Sequence, residues 1–159
     1  MKVFYTISFF ILSLVYQNAT AQLQIDSFKS IEDKMTIVPK PLVVFIHTDW
    51  CMYCKNMENT TFKNNDIIQQ LNEKFYFASL NGESRETIHF LNNSFRFQPN
   101  GNKTGVHQLA RELATVNNQI GYPTLAILNH KYEIIFQQQS FLSAKELIKI
   151  LNKLSKNDS

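Results

Sequence analysis

Two cysteines three positions apart, in Cys51-Met52-Tyr53-Cys54, carry the clearest chemistry in this chain, and they are its only cysteines. A disulfide closing so short a loop removes little freedom from the unfolded chain, so the pair makes a poor staple. It makes a good redox centre. It follows an apolar run and stands where a helix should begin. Free N–H groups and the positive end of the helix dipole favour an anion there. The Cys51 thiol should therefore ionise more readily than a free cysteine, whose pKa is about 8.5. Cys54 falls one turn further on, more buried and less acidic. Cys51 would attack a substrate disulfide, and Cys54 would resolve the mixed disulfide that forms.

The same spacing is half of a zinc site. Structural zinc normally takes four ligands. Here no second cysteine pair exists, and His47, His89, His107 and His130 do not stand at ligand spacing. No metal and no cofactor are expected. The alternative function is a soft-metal or metallochaperone module, with Cu(I) held by the cysteines together with Met52, Met57 or His47. Met57 also suits the inner face of the helix as core.

The elements that must hold the pair can be read from periodicity. Phe28, Ile31 and Met35 fall at helical spacing, and Pro39 and Pro41 end that helix. Residues 42–46 are a continuous apolar, β-rich run, as in a strand buried on both faces. A helix is expected over residues 51–58, and another, capped by Asn65 or Asp66, carries Ile67, Ile68 and Leu71. Residues 75–80 read as a second strand. Residues 83–92 look helical. Residues 93–104 read as a short ribbon leading into the turn around Pro99-Asn100-Gly101, and residues 106–116 as a helix. Gly121-Tyr122-Pro123 is a break before strands over residues 124–128 and 132–137. Ser143 and Glu146 form a capping box for a last helix carrying Leu147, Ile148, Leu151 and Leu154. A β-α-β unit followed by a hairpin and a closing helix implies a mixed α/β sheet with helices on both faces.

The chain has 159 residues, enough for one domain with a core that needs no disulfide, and most of its thirteen Phe help to fill it. Residues 1–21 read as a signal peptide and residues 22–159 as the domain. Lys2 is followed by an uncharged apolar stretch and then Ala19-Thr20-Ala21, an A-x-A cleavage pattern. The apolar stretch is shorter than the roughly 20 residues that cross a bilayer, so no stable membrane insertion is expected after cleavage. Removing Lys2 takes the net charge from +3 to +2, and the basic residues are scattered. Nothing in that balance suits nucleic acid. A periplasmic or secreted location is expected.

The stretch Leu42-Val-Val-Phe-Ile-His-Thr-Asp-Trp-Cys-Met-Tyr-Cys-Lys-Asn-Met-Glu58 resembles the active-site strand and helix of the thioredoxin superfamily. Gly121-Tyr-Pro-Thr124 resembles its cis-proline loop. Lys55, Glu58, Thr61 and Phe62 are most similar to exported thioredoxin-like proteins, including the C-terminal domain of the membrane reductase DsbD. The resemblance implies a thioredoxin fold with an insertion, near residues 95–113, before the cis-Pro loop. It implies a thiol–disulfide oxidoreductase, in the reducing or isomerising direction, with protein disulfides and thiols as partners and a membrane-bound redox donor. Cys51 and Cys54 would be catalytic. Pro123 would be cis and packed on the pair, Tyr122 would offer backbone to a substrate strand, and Trp50 would cover the thiols. Two residues depart from the family. Phe45 stands where the buried acid is usual, and Ser79 where its lysine partner is usual. Glu58, one turn after Cys54, is the candidate substitute as proton relay. The insertion serves either partner specificity or surface elaboration.

Overall fold

The computed structural model describes residues 22–155; the expected signal peptide lies outside the described residues. The chain runs α1 (Phe28–Met35), β1 (Leu42–His47), α2 (Met52–Asn59), a 3-10 turn (Thr61–Lys63), α3 (Asn65–Lys74) and β2 (Tyr76–Asn81). Three small ribbons follow, β3 (Ile88–Phe90) with β4 (Asn93–Phe95), β5 (Phe97–Pro99) with β6 (Gly105–His107), and β7 (Thr115–Val116) with β8 (Gln119–Ile120). Helix α4 (Gln108–Ala114) sits between the second and third ribbons. Strands β9 (Thr124–Leu128) and β10 (Ile134–Gln138) and helix α5 (Ala144–Leu154) complete the chain.

The main sheet has the order β10-β9-β1-β2. β1 pairs with β2 in parallel and with β9 antiparallel, and β10 pairs with β9 antiparallel. Strand side chains alternate between faces, so β1 supplies two cores. Leu42, Val44 and Ile46 pack with α1 and α4 on one face. Val43 and Phe45 pack with α2, α3 and α5 on the other, in the cluster that also holds Cys51 and Cys54. This is why residues 42–46 are apolar without alternation. The mixed sheet with helices on both faces is the expected fold.

Local signals fix the helix starts. Ser27 caps α1 by accepting from Ser30 N–H, Asn64 rather than the expected Asn65 or Asp66 caps α3 by accepting from Asp66 and Ile67 N–H, and Ser143 and Glu146 close the capping box on α5. Gln137 and Gln139 reach from β10 and its end to carbonyls of Leu113, Ala114, Thr115 and Gln119. They tie the third ribbon to the sheet.

Three further expectations are corrected. Residues 83–92 are a turn leading into β3, not a helix. Leu91 and Asn92, at φ 52° and 59°, turn the chain tightly back into β4. The helix expected over residues 106–116 is shorter, because Thr115 and Val116 leave it to pair with Ile120 and Gln119 around Asn117-Asn118, both at positive φ. The last strand begins at Ile134, since Tyr132 at φ 64° still belongs to the turn.

Candidate active site

β1 ends at His47, and the chain then turns through Thr48, Asp49 and Trp50 to reach Cys51. Cys51 is the N-cap of α2, with extended φ and ψ, and its Sγ accepts from Cys54 N–H at 3.1 Å. The first cysteine thus sits where the unpaired helix N–H groups converge. It is joined to Cys54 by a disulfide with the Cα atoms 5.2 Å apart. Cys51 is 5% exposed and Cys54 1%. Around this nearly closed pair, Trp50, Met52 and Tyr53 are all more than 60% exposed. Met57, on the inner face of α2, is fully buried core.

The break before β9 comes back to the same end of the sheet. The Tyr122–Pro123 peptide bond is cis. Thr124 holds the loop by donating from Oγ1 to Gly121 O. The Tyr122 ring meets Trp50 edge to face, with ring centroids 6.0 Å apart. It lies across Gly82, just beyond the end of β2, whose missing Cβ leaves room for it. Tyr122 Oη is buried without a hydrogen-bond partner, and burial pushes the phenol up to about 12. Gly82 is itself held between two strands, donating to His47 O and accepting from His107 N–H.

Glu58 lies in the last turn of α2, and its Oε1 is 3.9 Å from His47 Nδ1. The His47 ring stacks on Phe45 with centroids 5.3 Å apart. Burial lowers the His47 pKa, while Glu58 and then Asp49 pull it back up. Phe45 and Ser79 line a cleft of about 560 Å³ together with Glu58, Ile25 and Phe62. The positions where the superfamily buries an acid and a lysine therefore face an open cleft. Reading the sequence alone missed Gly82 as the seat of Tyr122 and gave His47 only a metal-ligand role. The signal for His47 was its place two residues beyond Phe45, on the same face of β1.

Among the described residues, no group of three or more His, Cys, Asp or Glu is placed to hold a metal ion. No helix among them is long and apolar enough to cross a membrane.

Residues 30–155 match the family model described as a thioredoxin-like domain. The chain belongs to that thioredoxin-like family. Its fold is similar to that of a solved oxidoreductase called DsbH, with 19% identity, TM-score 0.60, and 90% of this chain and 92% of that one covered. A thioredoxin from Thermus thermophilus is 17% identical at TM-score 0.61, with 87% and 91% covered. Thioredoxin f from spinach chloroplast is 17% identical at TM-score 0.52, with 86% and 88% covered. No curated protein matches in sequence. A thioredoxin-like fold carrying a C-x-x-C disulfide at a helix N-terminus supports thiol–disulfide oxidoreduction as the class of chemistry.

Proposed function

We propose that this chain is a thiol–disulfide oxidoreductase for exported proteins, working in the reducing or isomerising direction. The observation that carries the proposal is the Cys51–Cys54 disulfide at the N-terminus of α2, with the cis Tyr122–Pro123 loop at the same end of the sheet. In the reduced form, the Cys51 thiolate gains from the helix N-terminus, where its Sγ already accepts from Cys54 N–H. It attacks a substrate disulfide and releases one substrate thiolate. Cys54 then attacks Cys51 Sγ, closes the ring and releases the other. Tyr122 and Pro123 supply the edge against which an extended substrate segment lies, and Trp50 forms an exposed apolar wall beside it. The export half of the proposal rests on the apolar stretch before Ala19-Thr20-Ala21.

Reduction of insulin disulfides tests the chemistry. Cys51→Ser should abolish turnover, and Cys54→Ser should accumulate mixed disulfides through Cys51. Normal turnover by Cys51→Ser would overturn the assignment. Equilibration with glutathione tests the direction: a potential near about −270 mV marks a reductant and one near about −120 mV an oxidant. A mature N-terminus at Gln22 after expression with the leader would support export.

A further inference from the structure

We propose that His47 and Glu58 form the acid–base pair that takes up the proton leaving Cys54 when the mixed disulfide is resolved. This rests on the oxidoreductase reading above and names the residues that complete it. Resolution needs a base, because Cys54 is 1% exposed and its thiol must ionise before it can attack. Phe45 and Ser79 offer none.

Two elements bring the replacement together. Glu58 follows Cys54 by four residues on α2, so the two share a helix face. His47 follows Phe45 by two residues on β1, and the stacked rings show that they share a sheet face. Phe45 belongs to the same core cluster as Cys51 and Cys54. His47 Nδ1 and Glu58 Oε1 then meet at 3.9 Å. The charged groups facing His47 are Glu58 from α2 and Asp49 from the turn after β1, and Asp49 is held by Asn81 of β2 at 3.0 Å. Burial keeps the imidazole neutral near neutral pH, which is the form that accepts a proton. Glu58 also lines the open cleft, which gives the proton an exit to solvent.

Through one intervening water, Cys54 S–H gives its proton to the imidazole, whose Nδ1 is turned to Glu58, so Nε2 is the acceptor. The Cys54 electron pair forms the bond to Cys51 Sγ. The Cys51–substrate S–S bond breaks, and the substrate sulfur leaves with its electron pair as a thiolate. The imidazolium, steadied by the Glu58 carboxylate, returns the proton to that thiolate or to solvent.

Stopped-flow oxidation of the reduced protein by excess oxidised glutathione, followed by Trp50 fluorescence, separates the two steps. Attack by Cys51 is first order in glutathione and second order overall, and resolution by Cys54 is the first-order plateau. His47→Gln and Glu58→Gln should each lower the plateau at about pH 7, His47→Gln by about 100-fold, with the second-order phase within about twofold of wild type. The deficit should close towards about pH 9.5, as Cys54 ionises unaided. An unchanged plateau, or a deficit equal at every pH, would overturn the proposal while leaving the oxidoreductase reading intact. A wild-type protein that forms no mixed disulfide would overturn the oxidoreductase reading itself. Should the variants fail to fold, an NMR titration of wild-type His47 decides. A pKa differing by about half a unit or more between oxidised and reduced protein supports the pair, and an identical pKa overturns it.

Discussion

A Cβ on Gly82 would meet the Tyr122 ring, with Cε1 and Cζ both 2.6 Å away and Oη closer still. The φ of Gly82 is not positive, so alanine suits the backbone and the whole conflict is steric. Overpacking of this kind costs about 1–3 kcal/mol. Gly82→Ala should lose that much in urea denaturation, and trimming the ring with Tyr122→Val should return part of it. A double-mutant cycle should give a favourable coupling of about 1 kcal/mol between the two sites. Additive losses would mean that the ring and the glycine are not fitted to each other. The pairing also explains why the residue before Pro123 can be a tyrosine. Its bulk is stored against Trp50 and over Gly82.

At the scale of elements, α5 shows how far local chemistry reaches. Ser143 accepts from Glu146 N–H, and Glu146 accepts from Ser143 N–H at 2.9 Å. The helix this starts buries Leu147 and Leu151 completely against the core that holds the cysteines. Ser143→Ala should cost about 1 kcal/mol in the same denaturation assay, with no change in the rate of insulin reduction. A loss of activity at unchanged stability would contradict that. The capping box, the apolar β1 run and the C-x-x-C spacing were all legible in the sequence because each is set within a few residues. The ribbons after β2 were not. Residues 83–92 contain good helix formers, yet Leu91 and Asn92 adopt positive φ and Ile88 pairs with Phe95. That choice follows from tertiary packing, since Phe90 meets Phe28 of α1 at a ring separation of 5.0 Å. Asn117-Asn118 was a local signal, because asparagine tolerates the left-handed turn that joins β7 to β8. Gly82 carried no local signal at all, because the ring it accommodates arrives from beyond the third ribbon.

The whole molecule is two cores on one sheet, and each has an imidazole at its margin. His107 is fully buried and caps α4, with Nδ1 accepting from Leu109 N–H at 3.2 Å. Its Nε2 therefore carries the hydrogen and donates to Glu86 O at 3.1 Å. His47 stands at the corresponding margin on the cysteine side. Burial lowers both pKa values. The unfolded chain, with histidines near about 6.5, therefore binds more protons than the folded one as the pH falls through that value. Stability from these two groups is fully present above about pH 6.5 and declines below it, towards their lowered folded values. The carboxylate of Glu146, whose pKa is lowered chiefly by the Ser143 hydroxyl, acts in a separate and more acidic window. The melting temperature of the oxidised protein should therefore be level from about pH 8 to 7 and fall between about pH 6.5 and 5. The doubly substituted His47→Gln/His107→Gln protein should start lower, because it loses the cap on α4, but run flat across that interval. A wild-type melting temperature that does not fall there would show that neither imidazole is kept neutral by the fold.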